Sequence, residues 1–251
     1  MQGRVYLLDS NTAPRSLVLP PPYTPHWLPR GDPFKEACRI APEQGAGSLV
    51  WHTSAGGGTE TGTCGDRAGR FDFAVVLEPE TVLAEARRAF LIGMVALGDA
   101  LSAHCPPERA VTFGWPGQII FDGGRLGGLR FGVPAGAAED AVPDWLVLGA
   151  ELIADRDHLA TPGSMPSSVS LKEEAFIDPP AILESFAAYL MLTFDRWTHD
   201  GFAPIAARYA ECLTPVGALN EEGGLIVEDG SVSLASALGT SDWRDADGPK
   251  L

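Results

Sequence analysis

The sequence predicts an α+β domain followed by a small β appendage, and three observations carry that prediction. Apolar residues recur at three-and-four spacing in two long stretches, 80–105 and 179–201, the mark of helices with a buried face. Short runs of β-favouring residues, bounded by glycine, proline or aspartate, stand between them. Beyond Thr214 and Pro215 the chain changes to two short strand-like runs around Asp229-Gly230, a hairpin signal.

The elements follow in order. Residues 1–24 read as an extended, proline-rich lead-in, since Pro14, Pro20, Pro21, Pro22 and Pro25 are incompatible with a helix interior. Asp32 is a natural N-cap and Pro33 suits the first helical turn, so 32–41 begins a helix with Phe34, Ala37, Cys38 and Ala41 on one face. A buried strand over 47–54 runs into the Gly/Thr loop 55–70, and 71–79 is a second strand ended by Pro79. A helix occupies 80–105 and stops at Pro106-Pro107. Strands at 111–115 and 118–121, a turn at 122–125 and a third strand at 126–132 come next, then a strand at 142–154. Helices over 179–201 and 202–213 close the main domain, which is assigned to 25–213, with the β appendage at 214–251.

Composition sets limits on function. With 251 residues, 45% hydrophobic and 20% charged, the chain has the make-up of a folded globular protein. Lys and Arg number 18 against 33 Asp and Glu, a formal charge of −15 that repels phosphate backbones and anionic lipid. Nucleic acid and membranes are therefore not expected as partners. Lysine occurs only at Lys35, Lys172 and Lys250. Cys38, Cys64, Cys105 and Cys212 are widely spaced with no CxxC pair, which points to reduced thiols in the cytoplasm rather than zinc or a disulfide framework. Neither a secretory leader nor a membrane span is expected, because no long uninterrupted apolar run occurs.

Glycine usage is the feature that points to a site. Residues 113–132 contain seven glycines among Phe113, Trp115, Ile119, Ile120, Phe121 and Leu129. Gly123-Gly124 suits a turn, but Gly127-Gly128 falls inside an apolar strand, where glycine weakens a sheet unless another backbone or a ligand approaches closely. The expectation is that this pair serves a pocket more than the fold.

These residues also carry a resemblance. Thr53-Ser54-Ala55-Gly56-Gly57-Gly58-Thr59 follows the pattern Q-T-A-G-R-G-R of the biotin/lipoate protein ligase superfamily, and Gly114-Trp115-Pro116-Gly117-Gln118 its K-W-P-N-D. Arg125-Leu126-Gly127-Gly128-Leu129-Arg130 is similar to its K-L-G-G-I-L, while Leu148-Gly149-Ala150-Glu151-Leu152 shares with its G-I-G-x-N the residue Gly149. The resemblance spans about residues 20–213 and implies a mixed, largely antiparallel sheet flanked by helices. It further implies ATP, with Mg2+, and biotin or lipoate as substrates: the acid becomes an acyl-adenylate and then passes to a lysine of a biotinyl or lipoyl carrier domain. A small carboxylic acid, an octanoyl-like group or the acyl-adenylate is the expected ligand, and a non-catalytic binding protein of the same fold is the alternative.

Carried over position by position, the resemblance assigns Arg125 the catalytic place of the family lysine, and gives Ser54, Gly56, Gly57, Gly58, Trp115, Gln118, Gly127, Gly128 and Leu129 to the substrate or adenylate. Arg67 and Arg70, at the end of the loop, are assigned to it as substitutes for loop arginines, because Gly57 and Thr59 stand where the family has them. Gly114 and Gln118 likewise replace a lysine and an aspartate of the pattern. Asp122 and Glu151 are positioned to offer oxygen to a metal, but each also reads as a turn or solvated carboxylate, and no metal ligand is assigned. Cys64, beside Arg67, is the candidate nucleophile of a thioester route.

Overall fold

The computed structural model describes residues 15–53, 68–159 and 167–251. Its centre is a seven-stranded sheet in the order β1-β2-β3-β7-β6-β5-β4. These strands are Thr24–Trp27, Ser48–Thr53, Arg70–Leu77, Val111–Gly114, Gln118–Phe121, Gly124–Gly132 and Leu146–Ile153 for β1 to β7. β1 runs parallel to β2 and every other pairing is antiparallel, so the sheet is mixed and largely antiparallel as expected.

Helices cover both faces. α1 (Pro33–Gln44) packs Ala37, Ile40 and Ala41 on Val50, Ala74, Val76 and Val147. The other face carries the large core, in which α3 (Ala89–His104), α4 (Pro179–Asp200) and α5 (Ala203–Glu211) bury Phe90, Met94, Leu97, Phe186, Leu190 and Tyr209 against the strands. α3 is buried nearly all round, which explains why its apolar residues are so dense.

Several elements differ from the sequence-based expectation. The 80–105 helix is broken into α2 (Leu83–Ala86) and α3 at a turn over Arg87-Arg88, where Phe90 and Leu91 donate to carbonyls only three residues back. The lead-in contains an edge strand, β1, in which Pro25 is tolerated because one side of the strand is unpaired. The appendage holds the expected hairpin, β8 (Leu225–Val227) with β9 (Gly230–Val232), but also a helix α6 (Leu234–Leu238) and a second hairpin, β10 (Arg244–Asp245) with β11 (Gly248–Pro249). Arg70, expected in the loop, begins β3 and is buried. The other expectations for the loop, from Ser54 through Arg67 and including Cys64, fall outside the described residues.

The Gly127-Gly128 pair has a structural reason that the sequence left open. β5 and β6 slip register at Ile119/Ile120: Ile119 faces Gly127 while Ile120 faces Arg125, so Leu126 is an extra residue in β6. Gly127 has φ +156°, and a Cβ there would lie 2.0 Å from the Glu151 carbonyl oxygen. A Cβ on Gly128 would meet the Gly117 carbonyl at 2.3 Å and the Trp243 indole at 2.6 Å. Close approach is thus made by the chain's own backbone and Trp243, and the expectation that the pair serves a pocket more than the fold is corrected.

Two stability measurements check these packing arguments. Phe186, 1% exposed and 5.0 Å from the Phe73 ring, should cost about 3–5 kcal/mol when replaced by alanine, whereas Leu192→Ala at a 55% exposed site should stay within about 0.5 kcal/mol in denaturant unfolding. Gly127→Ala and Gly128→Ala should each lower the melting temperature well below that of Gly123→Ala, where a Cβ meets nothing within 4 Å and only the strain of φ +82° remains; equal losses for all three would refute the close-packing explanation.

Candidate functional site

The extra residue in β6 decides what shares a face. Leu126 and Leu129 both point into the large core, while Arg125, Gly128 and Arg130 turn to the side that carries α1 and the C-terminal hairpin. Leu129, assigned to the ligand, buries its side chain in the large core and is also among the residues that line the cavity described below.

Opposite these residues stands a buried charge cluster. Glu151, 1% exposed, accepts from Arg130 Nη1 at 2.7 Å and from Arg244 Nε at 2.9 Å. Arg130 Nη1 also donates to Asp32 Oδ2 at 2.9 Å, and its guanidinium lies 3.9 Å from the centre of the Phe34 ring. Asp32 meanwhile caps α1 as expected, its Oδ1 accepting from the Phe34 and Lys35 amides. Two oxygens of one aspartate thus fix both the start of α1 and the direction of Arg130.

Of the three cations assigned to the site, Arg125 and Arg70 both meet the C-terminal segment, and Arg67 lies outside the described residues. Arg125 Nη1 donates to the Lys250 carbonyl at 2.9 Å, and its Nε is buried with no hydrogen-bond partner among the described residues. Arg70 Nη2 donates to the Pro249 carbonyl at 3.0 Å. Arg70 and Asp72 lie on β3 beside Ile153 and Glu151 of β7, so the sheet brings them to the same neighbourhood.

Next to the cluster is a cavity of about 170 Å³ lined by Phe34, Phe90, Trp115, Gln118, Arg130 and Trp243, among others. It forms where β5 ends and leaves residues 129–132, among the described residues, without a strand partner on that side. The Trp115-Pro116-Gly117 turn is pinned there from two directions. Tyr209 donates its hydroxyl to the Pro116 carbonyl at 2.8 Å, and the Leu129 amide donates to the Gly117 carbonyl at 2.8 Å. The Trp115 indole N–H is buried without a hydrogen-bond partner among the described residues. Trp115 and Gln118, both assigned to the ligand, line the cavity, whereas Gly127 is enclosed by β7.

Burial settles the protonation of nearby groups. It pushes the Tyr209 phenol far up, so the hydroxyl remains a donor. It likewise pushes the Cys38 thiol up to about 11, with Arg130 opposing only in part, so Cys38 is an inert thiol under Gly132 rather than a nucleophile.

The described donor set does not fit Mg2+. Glu151 is held between two guanidiniums, and Asp122, in the exposed β5–β6 turn, is ion-paired with Arg109. Among the described residues no three His, Cys, Asp or Glu side chains come together as a metal site. Among these residues no helix is long and apolar enough to cross a membrane.

Sequence reasoning missed Arg130, Trp243 and Arg244. Arg130 had a readable signal, a charge in a buried strand two residues after the glycine pair. Trp243 and Arg244 had none, because nothing local says that a C-terminal hairpin folds back onto the sheet.

Comparison with known proteins agrees with this architecture. The family model described as the biotin/lipoate A/B protein ligase family matches residues 19–211. A biotin–[acetyl-CoA-carboxylase] ligase from Paracoccus denitrificans is 30% identical over 145 residues, 55% of this chain and 58% of that protein, so the match spans little more than half of the relative. Among solved structures, a biotin protein ligase-like protein of unknown function from Silicibacter sp. TM1040 aligns with a TM-score of 0.74 and 27% identity over 88% of this chain and 99% of that one. The biotin protein ligase of Aquifex aeolicus in complex with biotin and ATP aligns at a TM-score of 0.60 and 16% identity, over 83% and 94% of the two chains, a likeness of fold. On the strength of a family match that runs through every strand of the large sheet, the chain belongs to the biotin/lipoate A/B protein ligase family.

Proposed function

We propose that this protein binds a biotin-, lipoate- or octanoate-like acyl group, or its adenylate, on the sheet face that carries Arg125 and Gly128. The observation that carries the reading is Arg125. It stands at the position of the family's lysine, is brought to the face by the β6 bulge, and has a buried Nε–H without a partner among the described residues. An arginine there keeps a fixed positive charge near neutral pH and offers a planar fork suited to carboxylate or phosphate oxygens.

In the reaction implied by the family, a carboxylate oxygen attacks the α-phosphorus of ATP and pyrophosphate leaves. The amine of an acceptor-domain lysine then attacks the acyl carbon, and AMP leaves. Arg125 would counter the negative charge gathered on carboxylate and phosphate in the first step, and the aromatic walls of Phe34, Phe90 and Trp115 would take an apolar acyl chain. No step is assigned to a metal, since the described donor set does not fit one.

The replacements elsewhere favour binding over synthesis. Gly57, Thr59 and Gly114 stand where the family pattern has two arginines and a lysine, and each lost cationic donor typically costs about 10²–10³ in rate. This also keeps the second reading, a ligase-like binding protein for a carrier domain or small acid.

A thermal-shift assay with non-hydrolysable biotinyl- and lipoyl-adenylate analogues tests the reading. Ligand at 100 times its dissociation constant should add about 2.7 kcal/mol of stability. The shift should shrink in Arg125→Ala, and biotin-dependent exchange of pyrophosphate into ATP should be slow or undetectable. Exchange at rates ordinary for ligases would overturn the preference for binding over synthesis, and no shift with any acid or analogue would overturn the binding claim.

A further inference from the structure

The face on which the proposed function rests is already occupied by the end of the chain. Trp243, 4% exposed, lays its indole on the Gly128 backbone. Arg244 binds Glu151, and the carbonyls of Pro249 and Lys250 accept from Arg70 and Arg125. We propose that residues 240–251 are a built-in gate that holds the cationic end of the acyl-adenylate site until a ligand displaces it. The inference rests on the reading of that face given above.

Three features make the segment a displaceable occupant. The first is chemical. The Arg125 guanidinium meets a backbone carbonyl, which supplies an acceptor oxygen without charge. A carboxylate or phosphate oxygen offers the same geometry with charge, and a hydrogen bond between two ionised groups is markedly stronger than one to a neutral carbonyl. The anion therefore outcompetes the carbonyl at the same donor.

The second feature is mechanical. The hairpin has strands of only two residues each, and its turn over 245–248 is exposed except for the buried Gly248. So short a ladder has little stability of its own, and its hold on the sheet comes from Trp243 and the arginine contacts.

The third concerns what opening leaves behind. Releasing Arg244 from a buried Glu151 would ordinarily strand a carboxylate, which is strongly destabilising. Arg130 already donates to the same carboxylate at 2.7 Å, so Glu151 keeps a cation when Arg244 departs. Meanwhile Asp242, Asp245 and Asp247 place three exposed carboxylates on the closed segment, which raise the barrier to an approaching anion.

The test uses the full chain and a non-hydrolysable biotinyl-adenylate analogue. Hydrogen exchange of the wild type should show the backbone amides of 243–250, including the Lys250 amide that donates to the Trp243 carbonyl, exchanging faster when the analogue is bound. Slower exchange there would overturn the gate and make the segment part of the ligand's own wall. Trp243→Ala and Arg244→Gln should each bind the analogue about tenfold tighter than the wild type, because the competent state is more populated. If Trp243→Ala does not fold, Arg244→Gln decides. Unchanged or weaker binding by Arg244→Gln, with the wild type still binding, overturns the gate and leaves the proposed function standing. No binding by wild type or variants overturns the proposed function and the gate with it.

Discussion

The extra residue at Leu126 in β6 is the constraint on which the site depends. In a regular strand, positions three apart point to opposite faces, so Arg125 and Gly128 would be separated by the thickness of the sheet. The register slip against Ile119 and Ile120 inserts one residue and brings both to the same side, while Leu126 and Leu129, also three apart, both enter the core. The slip needs a residue that adopts φ +156° with the Glu151 carbonyl oxygen where a Cβ would project, and only glycine meets that demand at Gly127. Cation placement and core packing thus come from the same backbone irregularity.

Glu151 is the second organising element, through charge rather than backbone. Burying a carboxylate costs several kcal/mol unless good partners replace water. Its partners come from separate parts of the chain: Arg130 from β6 and Arg244 from the C-terminal hairpin, with Arg130 tied in turn to Asp32 at the start of α1. Such a network adds less to stability than its short distances suggest, because desolvation offsets attraction. It does fix how α1, β6, β7 and the chain end are arranged, since any other packing would strand a buried charge.

Much of the fold was legible because its signals were local. Asp32-Pro33 announced α1, Gly201 ended α4, and the short β-favouring run 118–121 between Gly117 and Asp122 marked β5. The break at Arg87-Arg88 was not legible, since the helical apolar period continues across it and the turn is set by tertiary bonds from Leu83 and Ala84 to the carbonyls of Ala141 and Glu139. Of the cavity and the face beside it, Arg125, Trp115 and Gln118 were named from motif position. The meaning of Gly127-Gly128 was half readable: close approach was foreseen, but its agent, a neighbouring strand and a tryptophan over 100 residues later in the chain, is non-local. Trp243 and Arg244 were hidden for the same reason.

The choice of arginine at position 125 gains meaning in this setting. A lysine gathers its three donors on one nitrogen at the end of a flexible stem, so its partners must crowd around a single atom. The guanidinium offers separate donors, so that Nη1 holds the Lys250 carbonyl while Nε–H remains buried and without a partner among the described residues. Around it, Arg130 and Arg244 are balanced by Glu151 and Asp32, so those four charges cancel. Arg125 instead faces a neutral carbonyl, on a protein whose overall charge of −15 repels anions. A fixed cation with no ion pair among the described residues, faced by a neutral carbonyl of the segment, is what gives an anionic ligand an energetic reason to exchange places with that segment.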